Sequence, residues 1–104
     1  AVVIPAWMKR VYRHDPVRFV QFAVRVWGVD QSFRDAETTA LEGIARLEAF
    51  WASIGLELRL PGLGIGPERI EEMASKCTSG DRAKVGHFVP LGATEVAEVL
   101  RLAL

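Results

Sequence analysis

Five stretches of this chain carry apolar side chains at intervals of three and four, and none alternates apolar and polar residues for more than a few positions. The first spacing belongs to one face of an α-helix and the second to a half-buried strand, so the pattern confines the fold to helix packed on helix. Ile4, Trp7, Met8, Val11 and Tyr12 fall at offsets 0, 3, 4, 7 and 8. Pro5 fits such a helix only in its first turn or at a kink. Lys9, Arg10 and Arg13 are expected to face water near its end, where cations suit the helix dipole.

Asp15-Pro16 predicts a second helix, because an Asp carboxylate can accept an orphan backbone N–H and Pro suits the first helical position. Its stripe is Phe19, Phe22, Ala23, Val26 and Trp27, closed by Gly28, which takes a left-handed terminal conformation without strain. Asp35 caps a predicted third helix reaching about Ile54, with Leu41, Ile44, Leu47, Trp51 and Ile54 inward and Gly55 as its stop. Gly66-Pro67 opens a fourth, with Ile70, Met73, Ala74 and Cys77 on one face. The last runs from about Thr94 through Val96, Val99, Leu100, Ala103 and Leu104. The expected fold is all-α with about five helices. Val3, the Leu58 to Leu60 alternation and Phe88-Val89 are the only strand-like pieces.

At 104 residues and 50% hydrophobic, the chain suffices for one domain. Thirteen basic residues balance thirteen acidic ones, which leaves no basic stripe for a nucleic acid. The longest apolar run, Ala1 to Met8, is far short of the ~20 residues of a membrane span. The single Cys77 excludes an internal disulfide and fits a reducing compartment, so a soluble, cytoplasmic protein is expected.

Gly62, Gly64 and Gly66 lack the preceding strand and the spacing of a dinucleotide fingerprint and read as a loop before a helix. His14 and His87, the only imidazoles, stand 73 positions apart with no ligand partner at helical spacing, so no metal site is expected from this chain alone. His14 is expected in solvent at a helix junction. Cys77 reads first as a small hydrophobe on the core face of its helix. Glu71, Glu72, Glu95 and Glu98 lie opposite the apolar stripes and are assigned no catalytic role. The aromatic residues read as core rather than as a cofactor box.

The segments Ile4-Pro5-Ala6-Trp7-Met8, His14-Asp15-Pro16 and Phe19 to Gly28, with Leu41 to Ile44, Gly55-Leu56, Leu63 to Ile65, Pro90-Leu91 and Val96 to Leu104, resemble the C-terminus of iron-containing alcohol dehydrogenases, nearest the butanol dehydrogenase branch. The resemblance implies that residues 1–104 are the C-terminal portion of a helical metal-binding domain. It also implies a parent enzyme that moves a hydride between NAD(P)(H) and a short alcohol or aldehyde, with iron or zinc as Lewis acid. In that family one Asp and three His hold the metal upstream of the matching segment, and an N-terminal domain binds the nucleotide. Nucleotide, metal and catalytic residues are therefore expected outside this chain, which begins at Ala1 in apolar sequence as a piece of a longer polypeptide would. Inactivity alone follows, with the remainder of the enzyme as partner and self-association or a homo-oligomer through exposed apolar faces. Cys77-Thr78 matches two positions of a Cys-Thr-Gly segment near the substrate in the similar lactaldehyde reductases, and Ser79 departs from the third, so Cys77 is a substrate-pocket candidate. Gly92 departs from a capping Thr and is expected to weaken the last helix's start. The alternative is a freestanding helical protein-interaction module whose stripes form a complete bundle core.

Overall fold

The apolar spacings become five α-helices in the computed structural model, which describes residues 1–104: α1 (Val3–Val11), α2 (Pro16–Trp27), α3 (Ala36–Ser53), α4 (Ile70–Cys77) and α5 (Ala93–Leu102). Short 3₁₀ turns at Tyr12–His14, Leu60–Leu63 and Pro67–Arg69 join them. The only extended pairing is an antiparallel bridge in which Val85 and Leu91 exchange both backbone hydrogen bonds, at 2.9 and 2.8 Å. The strand-like piece Leu58 to Leu60 instead turns into 3₁₀ helix, pinned where the Leu60 N–H donates to the Ala103 carbonyl at 2.8 Å.

Local chemistry sets most boundaries. Pro5 sits in the first turn of α1, and Pro16 is the first residue of α2. The Asp35 carboxylate accepts the Thr38 N–H at 2.6 Å and starts α3. Gly28 and Gly55 end α2 and α3 with φ of 65° and 85°. Asp15 departs from expectation: its side chain caps nothing, and its carbonyl instead accepts the Arg18 N–H at 3.2 Å. Gly92 starts α5 without a side chain, yet the Asp81 carboxylate reaches across the loop to accept the Ala93 N–H at 2.9 Å. The cap missing locally is supplied from twelve residues upstream.

The main packing runs α2 on α3, α3 on α1, α1 on α5 and α5 on α4, so the helices form a row with α1 in the middle. The core is built from Val2, Ala6, Met8, Val11 and Tyr12 with Phe19, Ala40, Ile44, Leu60, Ile70, Ala74, Val96, Ala97 and Val99. Several residues assigned to inward stripes are exposed instead: Ile4, Val26, Leu41, Ile54 and Leu104. On α3 their places are taken by small residues. Thr39, Ala40 and Gly43 are the buried side of α3 beside Ile44, and Ala23 is fully buried on α2. A Cβ added at Gly43 would stand 2.5 Å from the Ala23 Cβ and 2.8 Å from its Cα. The two backbones approach that closely because glycine meets alanine there, which rolls both helices onto their small side and turns larger side chains outward.

Candidate functional site

At the junction of α1, α4, α5 and the Val85–Leu91 bridge lies an apolar cavity of about 130 Å³, lined by Val3, Trp7, Cys77, Val85, Leu91, Val96 and Val99. Cys77 reaches it from the last position of α4 and is exposed, not buried in the core. The reason is angular. Ile70, Ala74 and Thr78, four apart, form the buried line of this element, and Cys77 falls one residue to its side. Thr78 can occupy the buried position because its hydroxyl donates to the Ala74 carbonyl at 2.9 Å and accepts the Asp81 N–H at 3.2 Å. Ser79, Gly80 and Asp81 then follow with positive φ, which swings the Asp81 carboxylate toward α5.

A second, more open groove of about 320 Å³ is lined by Met8, Arg18, Phe19, Phe22 and Phe88. Phe88 centres an aromatic cluster, with ring centroids 6.0 Å from Trp7, 5.8 Å from Phe19 and 5.3 Å from His14. His14 lies exposed in the turn between α1 and α2, where it was expected, its ring edge-on to Phe88. Gly62, Gly64 and Gly66 form turn and loop before α4. The carboxylates of Glu57 and Glu68 lie over Gly62 and Gly66, so the loop presents negative charge where a diphosphate would have to sit.

The acidic residues are tied to cations. Glu72 pairs with Arg69 at 3.0 Å and Lys76 at 2.9 Å, which lowers its carboxyl from an ordinary 4.5 to about 2. Glu71 pairs with Arg101, and Glu98 with Arg10 at 2.6 Å. Glu71 and Glu72 are exposed as expected, whereas Glu95 and Glu98 are half-buried. Lys9 and Arg10 do not simply face water: Lys9 binds Glu48 at 2.7 Å, and Arg59 binds the other oxygen of the same carboxylate at 2.9 Å. Sequence reasoning passed over Glu48, although it continues the spacing of Ala40 and Ile44 along α3. Burial works to raise its carboxyl, but hydrogen bonds from Lys9 and Arg59 hold it below the usual range. On the other side of α1, the Tyr12 phenol donates to the Glu37 carboxylate, which also takes Arg13 at 2.9 Å. Burial and that carboxylate push the phenol's pKa up.

No three His, Cys, Asp or Glu side chains converge in this structure, so these residues do not among themselves make up the donor set of an iron or zinc site. No helix is long and apolar enough to cross a membrane. Fold and site together define an all-helical domain that offers an apolar cavity and ion-paired flanks.

The chain belongs to the Fe-containing alcohol dehydrogenase family, whose C-terminal model matches residues 1–104. It is 35% identical over 104 residues to the probable NADH-dependent butanol dehydrogenase 1 of Bacillus subtilis, covering all of this chain and 26% of that protein. To the NADH-dependent butanol dehydrogenase A of Clostridium acetobutylicum it is 28% identical over 102 residues, 97% of this chain and 26% of that one. The crystal structure of NADH-dependent butanol dehydrogenase A from Thermotoga maritima superposes with a TM-score of 0.83 at 30% identity, over 98% of this chain and 27% of that one. The chain thus spans about a quarter of the length of the relatives it matches.

Proposed function

We propose that this chain is the C-terminal part of an oxidoreductase that transfers a hydride between NAD(P)(H) and a short-chain, butanol-type alcohol or aldehyde. The observation that supports the reading is likeness along the whole chain, in sequence and in fold, to proteins named as NADH-dependent butanol dehydrogenases. Nucleotide and metal, iron or zinc, belong in this reading to the part of the enzyme outside these residues. The 104 residues pack behind the metal-bearing helices and close one side of the substrate pocket. Their contribution is position and exclusion of water, which a metal site needs from its surroundings. Cys77, on the rim of the apolar cavity beside Val3 and Trp7, forms part of the pocket wall and contacts the alkyl portion of the alcohol.

The test is butanol-dependent reduction of NAD(P) by the full-length protein that carries this chain, loaded with iron or zinc, beside the 104-residue chain alone. The full-length protein is expected to turn over and the short chain to be inert. Turnover by the short chain, or none of any short alcohol by the full-length protein, overturns the reading. Cys77→Trp, which fills the cavity rim, is expected to raise the KM for butanol several-fold with little change in metal content. An unchanged KM would remove Cys77 from the pocket.

A further inference from the structure

From Val2 to Met8 the chain has no polar residue, so the first turns of α1, before Lys9 and Arg10, are apolar on all sides, as helix in an interior is. In α1 only part of that surface is covered. Val2, Pro5, Ala6 and Met8 are buried, whereas Val3 is 48% and Ile4 50% exposed and Trp7 is half-buried. At about 100° per residue, Val3, Ile4 and Trp7 share one side of the helix. Because α1 stands in the middle of the row, this bare side lies centrally and not at an edge. The molecule measures 41 × 30 × 18 Å, and its shortest dimension is under two helix diameters of about 10 Å. Its accessible surface of 6522 Å² exceeds the roughly 5,800 Å² of a compact 11.5 kDa monomer by roughly 700 Å², close to one partner's share of a standard interface. The outer side of α2 is different in kind: exposed Val17 and Val24 are interspersed there with Arg18, Gln21 and Arg25, the composition of a solvated face.

We infer that the Val3, Ile4 and Trp7 side of α1 is the seat of an uncharged, apolar helix surface from the part of the full-length polypeptide that this chain does not span. The inference rests on reading the chain as part of a longer enzyme, and it names the contact surface. The occupant follows from the length of the relatives, most of which lies outside these residues, and from a seat whose flanking charge, Arg10, is already paired with Glu98 at 2.6 Å. Docked there, the incoming surface also roofs the cavity that Val3 and Trp7 line.

Carbene footprinting of the full-length, metal-loaded protein tests this without relying on activity. Ile4 and Trp7 are expected to label several-fold more slowly than Val26 and Phe33, which are 61% and fully exposed in this chain. Equal labelling overturns the inference. Protection that vanishes on dilution assigns the surface to a second copy of the chain and overturns it as well. A protein that protects Ile4 but oxidises no alcohol refutes the proposed reaction and leaves the contact standing, whereas an active enzyme with Ile4 freely labelled refutes the contact alone.

Discussion

Gly43 and Thr78 decide more about this molecule than their size suggests. Replacing Gly43 with Ala improves helix propensity by about 1 kcal/mol, but the new methyl meets the Ala23 backbone at 2.8 Å, and a backbone atom cannot swing aside. Overpacking of that kind costs about 1–3 kcal/mol. Gly43→Ala is therefore expected to lower stability by about 1 kcal/mol and Gly43→Leu by more, read from urea midpoints. A more stable Gly43→Ala would refute the close approach of α2 and α3. Thr78→Val keeps the shape and leaves the Asp81 N–H without its acceptor, for an expected loss of about 1–2 kcal/mol. Neither residue announces its role in the sequence. A Gly inside a helical pattern reads as a weak point and a Thr beside a Cys as a polar neighbour, until the partner that approaches each is known.

The element most dependent on distant help is α5. Its N-terminal N–H is capped by Asp81, held in a left-handed conformation that Asp tolerates better than most residues. Asp81→Ala should cost about 1 kcal/mol, while Asp81→Asn retains an acceptor and should lose only part of that. Amide exchange at Ala93 and Thr94 reads the difference, and equal protection in wild type and Asp81→Ala would dismiss the cap. Between α1, α3 and the turn before Leu60, Glu48 holds Lys9 and Arg59 together with its side chain only 13% exposed. Glu48 and Glu72 both have folded-state pKa values below the ordinary 4.5, Glu72 at about 2. A depressed carboxylate stabilises the fold above its unfolded pKa, and that contribution disappears as pH falls through the folded value. Stability should thus decline as pH falls below about 4.5, with the partly buried Glu48 contributing more than the exposed, solvent-screened Glu72. Glu48→Gln should lose about 1 kcal/mol at neutral pH and flatten the decline, measured as urea midpoints at neutral and acid pH. A decline as steep as that of wild type would show that the Glu48 pair does not contribute to it.

As a whole the molecule is a row of helices rather than a ball. Its radius of gyration of 14.7 Å exceeds the about 13 Å of a compact chain of this length. Only 23 of its 104 residues are buried, and the apolar side of α1 faces outward at the centre of the row. Alone in solution, such a surface drives association. Light scattering on the purified 104-residue chain should give a mass above the monomer, with binding of an apolar dye, and Ile4→Lys should reduce both. A monodisperse monomer that excludes the dye would show that the row is self-sufficient.

The helices were legible in the sequence because most of their boundaries rest on signals within a few residues: apolar spacing, Asp35 at a start, Pro16 in a first turn, Gly28 and Gly55 at the ends. So was the family, carried by segments such as Pro5 to Met8 and Phe22 to Gly28. The stripes also marked Met8, Val11, Tyr12, Phe19, Ile44, Ile70, Ala74, Val96 and Val99 for the core, where they lie, but tertiary structure alone turned Leu41 and Ile54 of the third stripe outward, because the tightest contact forms where Gly43 and Ala23 let backbones meet. The same holds for Cys77, placed on a cavity rim by Thr78's satisfied hydroxyl, and for Glu48 and Asp81, whose partners lie eleven or more residues away. Spacing along a chain encodes what neighbours in sequence do, whereas burial and ion pairing depend on which surfaces fold together.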